Sequence, residues 1–159
     1  MKNTGLYPKS RVDVAPVSAV GQAGGVLLTE TVRVTGLDRA LSDALAGWWK
    51  PFAVHDPGKV LTDLAIALAL GGDALADVGV LRGEPSVYGH VASDPTVSRL
   101  IAALAGDADR AVAAISSARA AGRARAWTLA GEHAPDAAAT VKGLFAVEGV
   151  VGVRGPVRG

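Results

Sequence analysis

The side chains best suited to proton transfer or metal binding are three histidines, His55, His90 and His133, which stand 35 and 43 residues apart. They form neither an HxH nor an HExxH pattern, so no metal site follows from their spacing. His55-Asp56 invites comparison with a metal-dependent phosphohydrolase pair, but no further His or Asp ligands are suitably spaced on helices. It reads instead as a loop histidine beside a helix cap. Ser98, Ser116 and Ser117 fall within helical patterns with no histidine nearby in sequence, which leaves them without a base to make a nucleophile. The glycines at 21, 24 and 25 follow no strand and precede no GK[ST], and Gly58-Lys59 lacks the upstream glycine of a phosphate loop. No cofactor and no catalytic residue is expected from these patterns.

What remains is contact with phosphate. Thr96, Ser98 and Arg99 occupy the first turns of a helix opened by Asp94-Pro95, where free N–H groups and the helix dipole favour anions. Arg119 and Arg123, four apart, share one helical face and add two cations. The charge is unevenly distributed. Between Leu61 and Ser98 five acids face one arginine, a balance of −4, whereas Arg99 to Arg125 carries five arginines against two aspartates, a balance of +3. Such a segment suits a phosphate-facing surface. More often such a segment is a solvated face or a complement to the acidic helices; no aromatic residues interleave the arginines, and about ten residues separate the Asp94 helix from the preceding one, too many for a tight helix-turn-helix.

The elements that must position these residues are helices. The stretch Lys59 to Gly106 holds three apolar-periodic segments separated by turn signals, and the rest of the chain is organised around it. Asp56-Pro57 starts a helix with Val60, Leu61, Leu64, Ala65 and Leu68 as its apolar face, stopped by Gly71-Gly72. Asp73 is placed to cap the next, with Leu75, Val78 and Leu81 facing inward and Gly83 at its end. After a loop from Glu84 to Ser93, Asp94 reads as the cap of a helix whose Val97, Leu100, Ile101 and Leu104 form one stripe. Upstream, Val26 to Thr35 forms a short helix, and Leu37, Leu41, Leu45 and Trp48 keep to one face of another. Asp107 opens the longest helix, to about Ala130, with Val112, Ile115, Ala118, Gly122, Ala126 and Leu129 as its inner face.

The prediction is thus a mainly α protein of about six helices in one small bundle-like domain. Residues 1–25 are mostly irregular, with one short strand around Arg11 to Ala15; residues 26–136 are helical; residues 137–159 form a divergent tail with a weak strand pattern at Val147 to Val153. Half the residues are apolar but only 4% aromatic, so the core must be built from Ala, Val, Leu and Ile. The absence of cysteine excludes a disulfide framework, thiolate chemistry and Cys-based zinc. The N-terminus has no apolar signal region and the longest apolar run, Leu64 to Leu70, is far below the ~18 residues of a membrane span, so a soluble, cytoplasmic protein without membrane partners is expected.

HDPGKVLTDLAIALALGGDALADVGVLR, then VASDPTVSRLIAAL, then ARAAGRARAWTLAGEHAPD, in this order and spacing, resemble the N-terminal region of actinobacterial insertion-sequence transposases of the DDE group, which have an RNase H-like catalytic core. The resemblance spans residues 24–136. It implies that the core's first metal-binding aspartate would follow the equivalent of GEHAPD in a D-x-D-A-T-like motif, and that such carboxylates hold divalent metals for phosphodiester attack. This chain departs from the pattern at about Ala137, with Glu148 its only later acid, so no catalytic residue is carried over. The resemblance therefore implies a truncated, non-catalytic transposase that keeps recognition of double-stranded DNA at the element's terminal inverted repeats, through Thr96, Ser98 and Arg99, with pairing to another copy or to full-length transposase. Two other outcomes stay open at this level: a helical association module using Leu64 to Leu70, and a decayed product with no activity.

Overall fold

We describe residues 6–9 and 23–135 of the computed structural model. Among them there are seven helices and no strand: α1 Ala23–Thr35, α2 Leu37–Ala44, α3 Pro57–Ala69, α4 Val78–Arg82, α5 Pro85–Tyr88, α6 Asp94–Ala105 and α7 Ala108–Ala130. The mainly α reading holds. Short 3-10 turns stand at Ala46–Trp48, Leu75–Asp77 and Gly131–His133. The strand patterns around 11–15 and 147–153, and the tail as a whole, lie outside the described residues. The chain divides into two compact units, Met1–Ala126 and Trp127–Gly159; the described part of the second is the end of α7 and the turn that follows it.

α3 is the central helix of the first unit. Pro57 occupies its first turn, and the Asp56 carboxylate accepts the Lys59 N–H at 3.0 Å, as the sequence predicts for an Asp-Pro start. Gly71, at φ 100°, turns the chain out of the helix in a conformation that costs a side-chain-bearing residue energy. α2 crosses α3 at Gly58, where a Cβ would come within 2.3 Å of the Ser42 backbone nitrogen. Only a glycine permits that approach.

The face that α3 buries differs from the predicted one. Ala65 and Leu68 are exposed, while Lys59, Thr62, Asp63, Ile66 and Ala67 are buried beside Val60 and Leu64. The physical reason is a polar knot. The Lys59 ammonium lies 2.6 Å from both Asp63 carboxylate oxygens and donates to the Tyr88 carbonyl at 3.0 Å; the Tyr7 hydroxyl donates to Asp63 at 2.8 Å, and the Lys59 charge lies 4.3 Å from the Tyr7 ring centre. Because each ion meets its counterion there, polar residues replace apolar ones in the stripe. Burial pulls the Lys59 ammonium down and lifts the Asp63 carboxyl, and their mutual attraction opposes both shifts. Burial and the Asp63 charge push the Tyr7 hydroxyl upward, which keeps its proton available for the bond.

Around the knot lies the main core, with Val78, Leu81, Tyr88 and Val97 fully buried. Tyr88 ends α5, a turn opened by Pro85 within what reads in the sequence as a loop. Its hydroxyl occupies the space a Cβ on Gly25 would need, 1.9 Å away, so α1 must carry glycine there. A second cluster joins Leu45, Leu104 and Ala111 with half-buried Trp48, Leu100 and Ile115. α6 presents its predicted stripe, with Val97 and Leu104 buried and Leu100 and Ile101 half-buried.

Three further expectations are corrected. Asp94 is the first residue of α6 rather than its cap: Ser93 holds the cap position, and the Asp94 carboxylate instead pairs with Arg82 at 2.8 Å. Asp73 does not cap the following helix through its side chain; the Asp77 carboxylate turns back to accept the N–H groups of Asp73 and Ala74 at 2.9 and 2.8 Å, and Leu75 is exposed. In α7 the buried positions are Ala111, Ala118 and Gly122, whereas Val112 and Leu129 are 63% and 56% exposed; at Gly122 a Cβ would lie 3.2 Å from the Leu37 side chain, so the helix passes Leu37 with a small residue there. Among the described residues no helix is long and apolar enough to cross a membrane.

Candidate nucleic-acid interface

The first turns of α6 form one wall of a cleft of about 140 Å3. Arg99 is exposed and lines it; Thr96 is half-buried there, its hydroxyl 3.1 Å from that of Ser93. Ser98 is exposed on α6 but does not line the cleft. Arg82 fixes the start of this helix, donating to the Ala92 carbonyl at 2.8 Å as well as to Asp94. The opposite wall is the segment between α2 and α3, which contributes Trp48, Trp49, Lys50 and His55.

Both tryptophans are held in place. The Trp49 indole is 44% exposed, and its N–H donates to the Ala53 carbonyl at 3.1 Å. The Arg110 guanidinium lies 4.5 Å from the Trp48 ring centre, and Gly47 leaves it room: a Cβ there would meet the Arg110 side chain at 2.6 Å. His55 stacks on His90 with ring centres 4.7 Å apart. Burial first, and then the neighbouring His90 and Lys59, lower its affinity for a proton. Between these anchored groups the loop turns at Phe52, which has φ 64° and is fully exposed.

No acid lines the cleft, and among the described residues neither Lys50 nor Arg99 makes an ion pair. A second cleft, beside α3 and α4, carries Asp73 and Asp77 and no cation, so it is unsuited to phosphate. Arg119 and Arg123 are exposed on α7 and do not line the α6 cleft. The structure therefore separates the five residues singled out in the sequence, joining only Thr96 and Arg99. It adds Trp48, Trp49, Lys50 and His55, whose sequence signal was the aromatic pair and lysine of GWWKP in the segment between two helices.

The family model described as Transposase DDE domain group 1 matches residues 4–133. The chain belongs to the DDE transposase family. No curated protein and no solved structure matches it. DDE chemistry relies on carboxylates that hold divalent metal ions, and the described residues of this family member do not fit such a group. Among them no three His, Asp or Glu side chains converge on a metal position. Asp63 is committed to Lys59 and Tyr7, and Asp56 accepts from Lys59 N–H and from the Ser42 hydroxyl.

Proposed function

We propose that this member of the transposase family is related to actinobacterial insertion-sequence transposases and that its described helical body, itself non-catalytic, binds double-stranded DNA at the element's terminal inverted repeats. The observation that carries the reading is the convergence of Arg99, Thr96 and Lys50 on one acid-free cleft. Two cations that make no ion pair among the described residues, with a hydroxyl at a helix start, suit a phosphate backbone, and Ser98 beside them extends the same edge. Arg119 and Arg123 supply a second, separate contact on α7.

Binding of an element-end duplex, titrated against salt, tests the reading. Each lost phosphate contact lowers the slope of log K against log salt by about 0.9. Replacement of Lys50 and Arg99 by alanine should flatten it by about 1.8, and Arg119→Ala with Arg123→Ala by a similar amount. An unchanged slope in both variants, or no binding by the native chain, refutes the assignment. The non-catalytic part fails if the purified chain cleaves duplex DNA with added Mg2+ above a heat-killed control.

Self-association is a second reading, favoured by Leu68 and Leu70, which are 50% and 42% exposed at the end of α3. Leu70 and exposed Val80 line one cleft together and leave an apolar edge for another copy. A strict monomer in sedimentation counts against it.

A further inference from the structure

The α6 cleft is smaller than the roughly 300 Å3 at the low end of ordinary ligand pockets, so it admits a ring-sized group rather than a whole cofactor. Its walls are specialised for a planar, phosphate-linked ring. Trp49 lines it as a half-exposed indole fixed through its N–H, and Trp48 as a ring backed by Arg110. Lys50 and Arg99 stand on opposite walls with no acid between them. A base inside a duplex cannot reach such a cleft, because its faces are covered by neighbouring bases. An unpaired base offers a free π-face together with flanking phosphates, which is the combination that aromatic and cationic side chains hold in single-strand binding sites.

We infer that this cleft takes one unpaired nucleobase of a DNA strand, stacked on Trp49, with the adjoining phosphates on Lys50 and Arg99. The inference rests on the DNA-binding reading and adds single-strand recognition to it. Lys50 and Arg99 keep their contacts to the backbone at the end of the duplex, and a strand end or extension enters between α6 and the loop carrying the tryptophans. His55, stacked on His90, also lines the cleft.

The test compares a blunt duplex with the same duplex carrying a short single-stranded extension, on the 3′ or the 5′ strand, that contains 2-aminopurine. Stacking of one base on an aromatic ring corresponds to about a 5- to 150-fold gain in affinity. The extended duplex should bind tighter by a factor in this range, with quenching of the 2-aminopurine fluorescence. Trp49→Ala should abolish both effects, and Trp49→Phe should restore most of the preference. Because Trp49 is half-exposed, circular dichroism of both variants should match the native chain. Equal binding of blunt and extended duplexes overturns the base assignment while leaving duplex binding intact. Failure to bind either overturns both readings. A preference that survives Trp49→Ala places the base elsewhere, and tryptophan quenching by free deoxyadenosine monophosphate at the same concentration assigns the cleft to a free nucleotide; each overturns the inference.

Discussion

Gly58→Ala is a single methyl placed at the crossing of α2 and α3. An added Cβ lies 2.3 Å from the Ser42 nitrogen and 2.5 Å from both the Leu41 carbonyl carbon and the Ser42 Cα. All three atoms belong to backbone, so no rotamer change relieves the contact. Restoring ordinary separation near 3.4 Å requires the two helices to part by about 1 Å. Overpacking of this kind costs about 3 kcal/mol at its upper end, and loss of the Ser42 to Asp56 hydrogen bond adds about 1 kcal/mol. Better helix propensity returns about 1 kcal/mol. The net destabilisation is about 3 kcal/mol, which for a chain of this length lowers the melting temperature by roughly 6–12 °C. Thermal melts followed by circular dichroism measure it, with Gly106→Ala as a control. That glycine has ordinary helical φ and no neighbour closer than 3.5 Å, so alanine there should be neutral or stabilise by up to about 1 kcal/mol. A Gly58→Ala protein that melts at or above the native temperature refutes the close crossing.

Lys59→Met leaves the Asp63 carboxyl buried with Tyr7 as its remaining side-chain partner and should cost about 3–5 kcal/mol in urea unfolding, whereas Lys59→Met with Asp63→Leu should recover most of the loss. Equal losses in single and double variants would show that the pair is uncoupled. His55 binds its proton more weakly in the fold than its ordinary 6.5, so its contribution is fully present above pH 6.5 and is lost as the pH falls from there through the folded value. His55→Gln should therefore flatten the decline of the urea midpoint on the acid side of 6.5, and an identical pH profile in both proteins rules out the linkage. Arg82→Ala removes a half-exposed ion pair and a carbonyl contact, so a loss of about 1 kcal/mol is expected; a loss above about 3 kcal/mol would mean that α6 depends on it far more than its exposure implies.

Much of the helical framework was legible because its signals are local. Pro57 after Asp56, the glycines at 71–72 and the stripe from Val97 to Leu104 each act within one or two turns, and each appears in the structure where the sequence places it. The α3 face was misread for the opposite reason. Lys59 and Asp63 look like a surface pair four residues apart, and only Tyr7 and the Tyr88 carbonyl, distant in sequence, make their burial tolerable. The same holds for Asp94, whose carboxylate is drawn away from capping by Arg82, twelve residues earlier. In the cleft, Thr96 and Arg99 were visible as helix-start residues. The tryptophans facing them were not, because nothing in the sequence brings the residues after α2 against α6. The apparent lack of aromatics among the arginines was a property of the linear order alone.

The knot of Tyr7, Lys59 and Asp63 has a consequence for descent as well as for folding. A charge enclosed with its counterion cannot drift independently, since the intermediate holding one partner is the least stable of the possible genotypes. Related chains that keep this crossing should carry all three residues, or should have exchanged the lysine and aspartate together for apolar side chains of similar volume. A folded relative with Asp63 retained and an apolar residue at 59 would show that the ammonium is dispensable. The position of Tyr7, ahead of α1, ties the inheritance of the earliest described residues to that of the central helix.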